Sequence, residues 1–333
     1  MFDVICVGSS TVDVFARTEF SELVSIRSVK GKKAEEKLLA YPIGGKILIE
    51  ELDFTTGGGG TNVAVALSRL GLQPAYFGAV GDDANAGLIL DALKKDRVDT
   101  HLVVSKKGKS GYSIILDSIE HDRTILTHKG VNNDLRPSDV KKAELKAKWF
   151  YFSAMMEQSF SVLEDLAKFA KRSGIKVAFN PSSYLAEKGA GFLKTVLSAT
   201  TLLVLNKEES ELIAGAGKTE DVAQRLHLLG PEYVVITDGK NGAYCSYDGT
   251  MYFAPTHHVK VVETTGAGDA FASTFLAGLI LGADASYSLA LATTNAESVV
   301  THHGAKSHLL TLREATAVLK KCPVHVTRTP LKR

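Results

Sequence analysis

Short apolar runs alternate along this chain with longer stretches in which apolar positions recur at helical spacing. Strands are predicted for the apolar runs at residues 3–8, 74–80, 149–153, 176–180, 202–206 and 233–237. Helices are predicted between them, over residues 61–70, 86–95, 161–173, 208–214 and 221–229. Alternating strands and helices are typical of parallel βαβ units, so the pattern predicts an α/β fold with a doubly wound sheet.

Two stretches interrupt this alternation. Residues 12–56 show no clear order of helices and strands, and they include a mixed-charge segment at residues 30–37. Residues 102–127 alternate as short strands, with turns at residues 107–109 and 120–122. Both stretches predict a small β element that projects from the main sheet.

Composition places the chain among ordinary globular proteins. Its 333 residues are 45% hydrophobic and 23% charged, and the formal net charge is only +2. Such a balanced charge argues against a nucleic-acid partner, and no apolar run approaches the ~18 residues of a membrane span. The N-terminus lacks the features of a signal peptide, and three widely spaced cysteines favour a reducing compartment. We therefore expect a cytoplasmic protein without a membrane partner.

The most informative stretch is Gly266, Ala267 and Gly268 followed by Asp269, directly before an apolar helical run. Small residues let the backbone turn sharply, and a helix that begins there presents unpaired N–H groups to an anion. A carboxylate repels a bound phosphate, so binding alone does not account for Asp269. It suits a general base that takes a proton from a hydroxyl while the N–H groups steady a phosphoryl group. The alternative is an Asp that caps the helix after a glycine turn.

A run of four glycines, Gly57, Gly58, Gly59 and Gly60, precedes Asn62 at the start of a predicted helix. Consecutive glycines are costly in conformational entropy unless a ligand or another backbone segment approaches closely. Asn62 offers both a donor and an acceptor to a hydroxyl. The run is therefore either a substrate-binding loop or a flexible hinge.

Asn206 and Glu209 follow a predicted strand and can share one side of the next helical turn. This pair can hold a hydrated Mg²⁺, which keeps much of its water shell and takes few protein ligands. Equally, an Asn followed three residues later by a Glu is a capping pair. Thr237, Gly239 and Gly242 belong to a turn between strands, for which a plain hairpin is the simplest interpretation.

The order of these segments is more specific than any one of them. The segments are, in chain order, the glycine loop with Asn62, Asn206-x-x-Glu209, Thr237-x-Gly239-x-x-Gly242 and Gly266-Ala267-Gly268-Asp269. In this order the chain resembles the ribokinase (PfkB) family of sugar and nucleoside kinases, from residue 4 to about residue 305. Further matches to that family are Asp13, the turn at residues 81–83 and the pair Gly304-Ala305.

The resemblance implies ATP-dependent phosphoryl transfer to a primary hydroxyl, in a single domain over residues 1–333 with a Rossmann-like, mostly parallel sheet. Residues 12–56 and 102–127 would form a small β-sheet lid. Asp269 would be the base, with an anion hole formed by the N–H groups of Gly266, Ala267 and Gly268. Substrate hydroxyls would be held by Asp13, Gly57, Gly58, Gly59, Gly60, Asn62 and Glu157. ATP would be bound by Asn206, Thr237, Gly239, Gly242, Thr293 and Asn295, and Mg²⁺ by Glu209 through water.

One position departs from the family pattern. Members commonly have an Asp three residues before the first glycine of the anion hole, where this chain has Glu263. In many members that loop binds a monovalent cation, so the resemblance implies a K⁺ site formed by Glu263, Thr265 and Gly304. The longer side chain of Glu263 changes the geometry of that site.

The acceptor is expected to be a sugar or a nucleoside, and two alternatives stay open. Arg123 in the lid can reach a sugar phosphate, which would indicate a phosphofructokinase-type kinase, and a catalytically idle ligand-binding member would keep the same fold. A nucleotide-dependent dehydrogenase does not fit, because no Gly-x-Gly-x-x-Gly follows the first strand. An exposed sheet edge can pair with a second copy, so a homodimer through the lid is a further expectation.

Overall fold

The computed structural model describes residues 1–18, 22–27, 35–117, 123–302, 304 and 306–331. Its strands are β1 Phe2–Val7, β2 Thr11–Arg17, β3 Glu22–Arg27, β4 Glu35–Ala40, β5 Glu51–Gly57, β6 Pro74–Phe77, β7 Ala79–Val80, β8 Val104–Ser105, β9 Gly111–Asp117, β10 Arg123–His128, β11 Ala147–Phe152, β12 Lys176–Phe179, β13 Leu202–Asn206, β14 Tyr233–Thr237, β15 Ala243–Tyr247, β16 Thr250–Ala254 and β17 Thr327–Pro330. Its α-helices are α1 Gly59–Arg69, α2 Ala84–Lys95, α3 Phe160–Ser173, α4 Ser182–Ala186, α5 Gly189–Leu197, α6 Lys207–Ala214, α7 Thr219–His227, α8 Ala267–Ile280, α9 Ala285–Val300 and α10 Leu312–Lys321.

The predicted α/β fold is confirmed. Within the described ranges, a nine-stranded sheet has the order β17-β16-β15-β14-β13-β12-β11-β1-β6. The six strands from β14 to β6 in this order are parallel, and β15, β16 and β17 add an antiparallel edge. Since the parallel strands point the same way, their carboxyl ends meet at one edge of the sheet.

The large sheet is buried on both faces because its strands are apolar at consecutive positions. In β1, Val4 and Cys6 belong to the core cluster that includes α1, α8 and α9, whereas Ile5 and Val7 belong to the cluster that includes α3, α5 and α7. Because both faces of the sheet are apolar, polar functional groups are expected at the strand ends and in the loops.

None of the helices in the described part of the chain is long and apolar enough to cross a membrane.

The predicted small β element is also confirmed. Four strands form a second sheet in the order β10-β9-β2-β5, in which β2 runs parallel to β9 and antiparallel to β5. These strands come from the two stretches that interrupt the strand–helix alternation, and the antiparallel pair β3 and β4 lies in the first of them. Arg123 is the first residue of β10, but its side chain lies outside the described part of the structure.

One predicted strand is divided in the structure. Residues 74–80 form β6 and β7 with Gly78 between them, and β7 pairs with β8 in a separate two-stranded sheet. A Cβ atom on Gly78 would overlap Tyr76 Oη, which donates a 2.9 Å hydrogen bond to the Gly8 carbonyl oxygen. The Tyr76 side chain thus occupies the space beside Gly78, and the chain leaves the large sheet at the one residue without a side chain.

Candidate active site

The four-glycine run joins the small sheet to the first helix. β5 ends at Gly57 and α1 begins at Gly59, with Gly58 between them at φ +100°. A Cβ atom on Gly57 would lie 1.9 Å from Asp13 Oδ2, and one on Gly59 would lie 2.1 Å from Ser153 Oγ. Because side chains at these positions would collide with their neighbours, the run is closely packed and is not a loose hinge.

Asp269 lies in the first turn of α8, which begins at Ala267 and has Gly266 as its N-terminal cap at φ +79°. The capping alternative for Asp269 is therefore wrong. Asn62 Nδ2 donates a 2.9 Å hydrogen bond to Asp269 Oδ2. Burial raises the pKa of Asp269 to about 6, although this hydrogen bond and the positive charge of Lys306 oppose the shift. Such a carboxylate is ionised at neutral pH and is more basic than an exposed Asp.

The surroundings of Asp269 leave both space and hydrogen-bonding capacity for a ligand. A Cβ atom on Gly268 would meet no atom within 4 Å, so the space beside the N-terminus of α8 is open. Asn62 Oδ1 is buried and has no hydrogen-bond partner among the described residues. Ala267 N–H donates a long 3.3 Å hydrogen bond to the Thr264 carbonyl oxygen. One of the three predicted anion-hole groups is thus engaged within its own loop.

Asp13 lies on β2, next to Ser113 of β9. Burial raises the pKa of Asp13, and hydrogen bonds from the Thr11 and Ser113 side chains oppose the shift. A Cβ atom on Gly59 would lie 3.8 Å from Asp269 Oδ1, and the same glycine run contacts Asp13. The structure therefore brings together the two acids to which the sequence assigns substrate binding and catalysis.

Lys306 is a site residue that sequence reasoning misses. Its ammonium donates a 2.7 Å hydrogen bond to Thr56 Oγ1 of β5, and its carbonyl oxygen accepts a 2.6 Å hydrogen bond from Arg69 Nη1. Burial lowers the pKa of Lys306 to about 8, and the negative charges of Asp13 and Asp269 oppose the shift. Lys306 is thus the cation whose charge acts on both acids. Lys306 directly follows the Gly304-Ala305 pair in the sequence, and this position is the signal by which it could have been found.

Asn206 and Glu209 form a capping box at the start of α6. Glu209 N–H donates to Asn206 Oδ1 at 2.8 Å, and Asn206 N–H donates to Glu209 Oε2 at 3.0 Å. Burial raises the pKa of Glu209. The pKa of the buried Tyr151 is raised by burial and by the charges of Asp269 and Glu209, and its hydroxyl has no partner in the described structure. Tyr151 is thus a buried, unpartnered hydroxyl within electrostatic range of both acids.

Two of the predicted ATP-binding residues are neighbours at adjacent strand ends. Thr237 ends β14 directly opposite Asn206, which ends β13. Gly239 at φ +52° and Gly242 at φ +107° shape the turn that follows, and Asp238 N–H donates a 2.8 Å hydrogen bond to the Gly242 carbonyl oxygen. Carboxyl ends of parallel strands are where ligands of doubly wound sheets bind.

Thr293 and Asn295 are bonded within the fold. Thr293 Oγ1 donates a 3.0 Å hydrogen bond to the Leu289 carbonyl oxygen of its own helix. The fully buried Asn295 donates to Thr274 Oγ1 at 2.7 Å and accepts a 2.9 Å hydrogen bond from Leu310 N–H. These contacts hold α8, α9 and the segment before α10 together. A role of Thr293 and Asn295 at the adenine stays a prediction.

The residues predicted for a monovalent cation lie in two loops that touch. Gly304 N–H donates a 2.8 Å hydrogen bond to the buried Glu263 Oε2. Thr265 Oγ1 is buried and has no hydrogen-bond partner in the part of the chain that the structure describes. A carboxylate and an unpartnered hydroxyl oxygen are donors that suit a hard cation. Glu263 nevertheless joins the two loops through its own carboxylate.

Glu157 adopts φ +50°, a conformation that side-chain-bearing residues rarely adopt and that recurs at functional positions. It lines a cavity of about 510 Å³ together with three lysines, of which one is Lys129. The negative charge of Asp13 acts on Lys129. Lys129 thus both lines this cavity and feels the charge of the acid predicted to bind substrate.

The family model of pfkB family carbohydrate kinases matches residues 1–312 of the chain. An uncharacterized sugar kinase of Archaeoglobus fulgidus is 29% identical over 250 residues, which cover 74% of this chain and 98% of that protein. A ribokinase of Staphylococcus aureus is 27% identical over 327 residues, which cover 95% of this chain and 99% of the ribokinase.

Solved structures show the same fold at lower sequence identity. Arabidopsis thaliana ribokinase complexed with ribose and ATP has a TM-score of 0.80 and 21% identity, over 96% of this chain and 99% of that chain. A nucleoside kinase of Methanocaldococcus jannaschii has a TM-score of 0.76 and 20% identity, over 96% of this chain and 99% of that chain. Proteins with this fold thus include kinases of both sugars and nucleosides.

Proposed function

Because this chain belongs to the pfkB family of carbohydrate kinases, we propose that it transfers the γ-phosphoryl group of ATP to a primary hydroxyl of a sugar or a nucleoside. The observation that carries the proposal is the pairing of Asp269 with Asn62 at the first turn of α8, beside the glycine run that contacts Asp13. The proximity of a basic carboxylate, the N-terminus of a helix and a second acid supports this proposal.

In the proposed reaction, Asp269 accepts the proton of the acceptor's CH₂OH group. The hydroxyl oxygen forms a bond to the γ-phosphorus while the bond from that phosphorus to the bridging oxygen breaks, and its electron pair leaves with ADP. Asn62 Nδ2 donates its hydrogen bond to Asp269 Oδ2. The other carboxylate oxygen, Oδ1, lies on the side of Gly59 and is left to take the proton. The raised pKa of Asp269 brings the base closer to neutral pH, where proton transfer is most efficient.

Charge on the transferring group is proposed to be stabilised at the N-terminus of α8. The N–H groups of Gly266, Ala267 and Gly268 form the proposed anion hole, and the helix dipole adds a partial positive charge. Lys306 contributes a full positive charge that acts on Asp269. Phosphoryl transfer depends mainly on such positioning and charge stabilisation.

The acceptor is proposed to bind between the two sheets. Its hydroxyl groups are assigned to Asp13, Gly57, Gly58, Gly59, Gly60, Asn62 and Glu157. The hydrogen bond from Lys306 to Thr56 of the small sheet supports this placement, because Lys306 also acts on Asp269. As a lid within the single domain of residues 1–333, the stretches 12–56 and 102–127 would exclude the water that competes for the phosphate.

ATP and magnesium are proposed to bind at the carboxyl ends of β13 and β14. Within the described ranges, no three His, Cys, Asp or Glu side chains cluster closely enough to hold a metal ion. The oxygen donors present suit Mg²⁺ held chiefly by phosphates and water, with Glu209 acting through water. Mg²⁺ supplies charge neutralisation on the phosphate oxygens. The residues assigned to ATP are Asn206, Thr237, Gly239, Gly242, Thr293 and Asn295, and those assigned to K⁺ are Glu263, Thr265 and Gly304.

The proposed function is tested by Asp269→Asn in an ADP-release assay over pentoses, hexoses, their phosphates, sugar acids and nucleosides. We expect turnover to fall about 10²- to 10⁴-fold while ATP binding, measured by calorimetry, is retained. The control is Asp91→Asn, because Asp91 lies on the exposed face of α2. Wild-type turnover in Asp269→Asn would overturn the proposal. ATP and sugar binding by the native protein without any ADP release would favour the idle ligand-binding alternative.

A further inference from the structure

Lys129 is a partly buried cation whose charge is not matched by an adjacent carboxylate. It follows β10, and its ammonium lies 4.5 Å from the centre of the Tyr184 ring. Among the described residues, no carboxylate lies within ion-pair distance of this ammonium. Burial lowers the pKa of Lys129, and the charge of Asp13 opposes the shift. A lysine held in this way binds an anion readily, since burial of a cation without a partner is costly.

The two acids of the candidate site differ in the lysines whose charges act on them. Both Lys306 and Lys129 act on Asp13, but of these two lysines only Lys306 acts on Asp269. The cavity that Lys129 and Glu157 line includes neither Asp269 nor Asn62 among its described lining residues, so Lys129 faces a space apart from the proposed base. Because the γ-phosphoryl group must lie beside Asp269, an anion next to Lys129 belongs to the acceptor and not to ATP.

A cavity of about 510 Å³ extends from Lys129. Among the described residues, Lys107 and Lys109 line it with Lys129, and the carboxylates that line it are Asp134 and Glu157. Three lysines against two carboxylates leave one positive charge in excess on this described lining. The cavity is large enough for a carboxylate or a phosphate group and has the charge to hold it.

We infer that the phosphoryl acceptor carries an anionic group, a carboxylate or a phosphate ester, at the end remote from the hydroxyl that is phosphorylated. Lys129 binds this group, with Lys107 and Lys109 beside it, while Asp13 holds the hydroxyls between the two ends. The inference rests on the proposed function and narrows its substrate class to sugar acids and sugar phosphates.

The competing explanation is that Lys129 is purely structural and only screens Asp13 or packs on Tyr184. A structural lysine would affect neutral and anionic acceptors alike, whereas an anion-binding lysine would affect anionic acceptors selectively. The ratio of kcat/KM for an anionic acceptor to that for its neutral parent sugar therefore separates the two explanations.

The experiment compares native protein, Lys129→Met, Lys129→Arg and Lys321→Met in ADP release with neutral sugars, sugar acids and sugar phosphates. Lys321 is the matched control because it is exposed at the end of α10. We expect a preference of the native protein for one of the two anionic sets, which also identifies carboxylate or phosphate. Lys129→Met should lower kcat/KM for that set about 10- to 100-fold, the range of a hydrogen bond to a charged group, and change neutral acceptors less than threefold. Lys129→Arg should retain most of the preference.

Three outcomes would overturn the inference. Equal or better use of neutral acceptors by the native protein would leave the proposed kinase activity intact but remove the anion subsite. An equal loss for neutral and anionic acceptors in Lys129→Met would assign Lys129 a structural role. If no acceptor is phosphorylated, the proposed function fails by itself, and melting shifts with sugar acids and sugar phosphates decide the inference. A shift that is the same in native protein and Lys129→Met would then refute it.

Discussion

Replacing Asp269 with Asn should stabilise the folded protein while it removes the proposed base. The pKa of Asp269 is raised from 3.8 to about 6, chiefly by burial. Folding therefore favours the protonated form of this group. Its contribution to stability is complete below pH 3.8 and is lost as the pH rises through about 6. An Asn side chain has the shape of the protonated acid and carries no charge, so the variant should keep that contribution at every pH.

The size of the effect follows from the shift itself. A rise from 3.8 to about 6 corresponds to a free-energy difference of about 3 kcal/mol. Asp269 retains some contact with solvent, so we expect the variant to gain about 1–3 kcal/mol in the free energy of unfolding at pH 8. The gain should shrink through pH 6 and vanish near pH 4. The Asn62 hydrogen bond is preserved, since an Asn at this position also offers an oxygen acceptor.

Urea unfolding of both proteins between pH 4 and pH 8 measures this difference, provided that the two m-values agree. Asp91→Asn is the control, because a substitution on the exposed face of α2 should change stability by less than about 0.5 kcal/mol at any pH. A variant that is no more stable than native protein at pH 8 would refute the reasoning. A gain that does not depend on pH would refute it as well, because packing and not charge would then be its cause.

Three further outcomes follow from contacts in the structure. Lys306→Met should raise the pKa of Asp269 further, because the charge of Lys306 lowers it. The acidic limb of the pH profile of kcat/KM should therefore move up by roughly half to one pH unit. An acidic limb that does not move would contradict this expectation. Gly60→Ala should destabilise the protein by about 1–3 kcal/mol, because its Cβ atom would lie 2.9 Å from backbone atoms at the end of β1. Gly87→Ala in α2 should stabilise the protein by about 0.5–1 kcal/mol, because its Cβ atom would meet no atom within 4 Å. Equal urea midpoints for the two variants and the native protein would contradict both expectations. Phe54 lies on edge strand β5 of the small sheet and is 60% exposed. If the protein dimerises through this sheet, Phe54→Lys should shift the mass measured by light scattering from dimer to monomer. A variant that stays dimeric would place the interface elsewhere.

Strands buried on both faces were the most predictable part of the fold. β13 and β14 begin and end where the apolar pattern predicts, because a central strand must be apolar at every buried position. The pattern also marks their ends, since Asn206 and Thr237 are the first polar residues after each run. The site at the strand ends could thus be placed from the sequence.

Contacts between distant segments could not be predicted in this way. The pattern over residues 74–80 is continuous, and only the packing of Tyr76 against Gly8 shows why Gly78 divides it. Lys306 likewise reaches the site through a hydrogen bond to Thr56, which lies 250 positions away in the chain. Neither residue belongs to a local pattern, so neither could be recognised before the segments were brought together.

The charged groups of the candidate site lower the stability of the folded protein. Burial raises the pKa of Asp13 and Asp269 and lowers the pKa of Lys306 and Lys129, so each charged group is less favourable in the protein than in water. None of the ion pairs among the described residues joins Asp13 or Asp269 to Lys306 or Lys129. A ligand with hydroxyl donors for the carboxylates and anionic oxygens for the lysines would compensate all four groups at once. Asp13 and Asp269 could be recognised from their motifs, whereas Lys306 and Lys129 belong to no apolar or capping pattern and could be recognised only once the fold placed them near the acids.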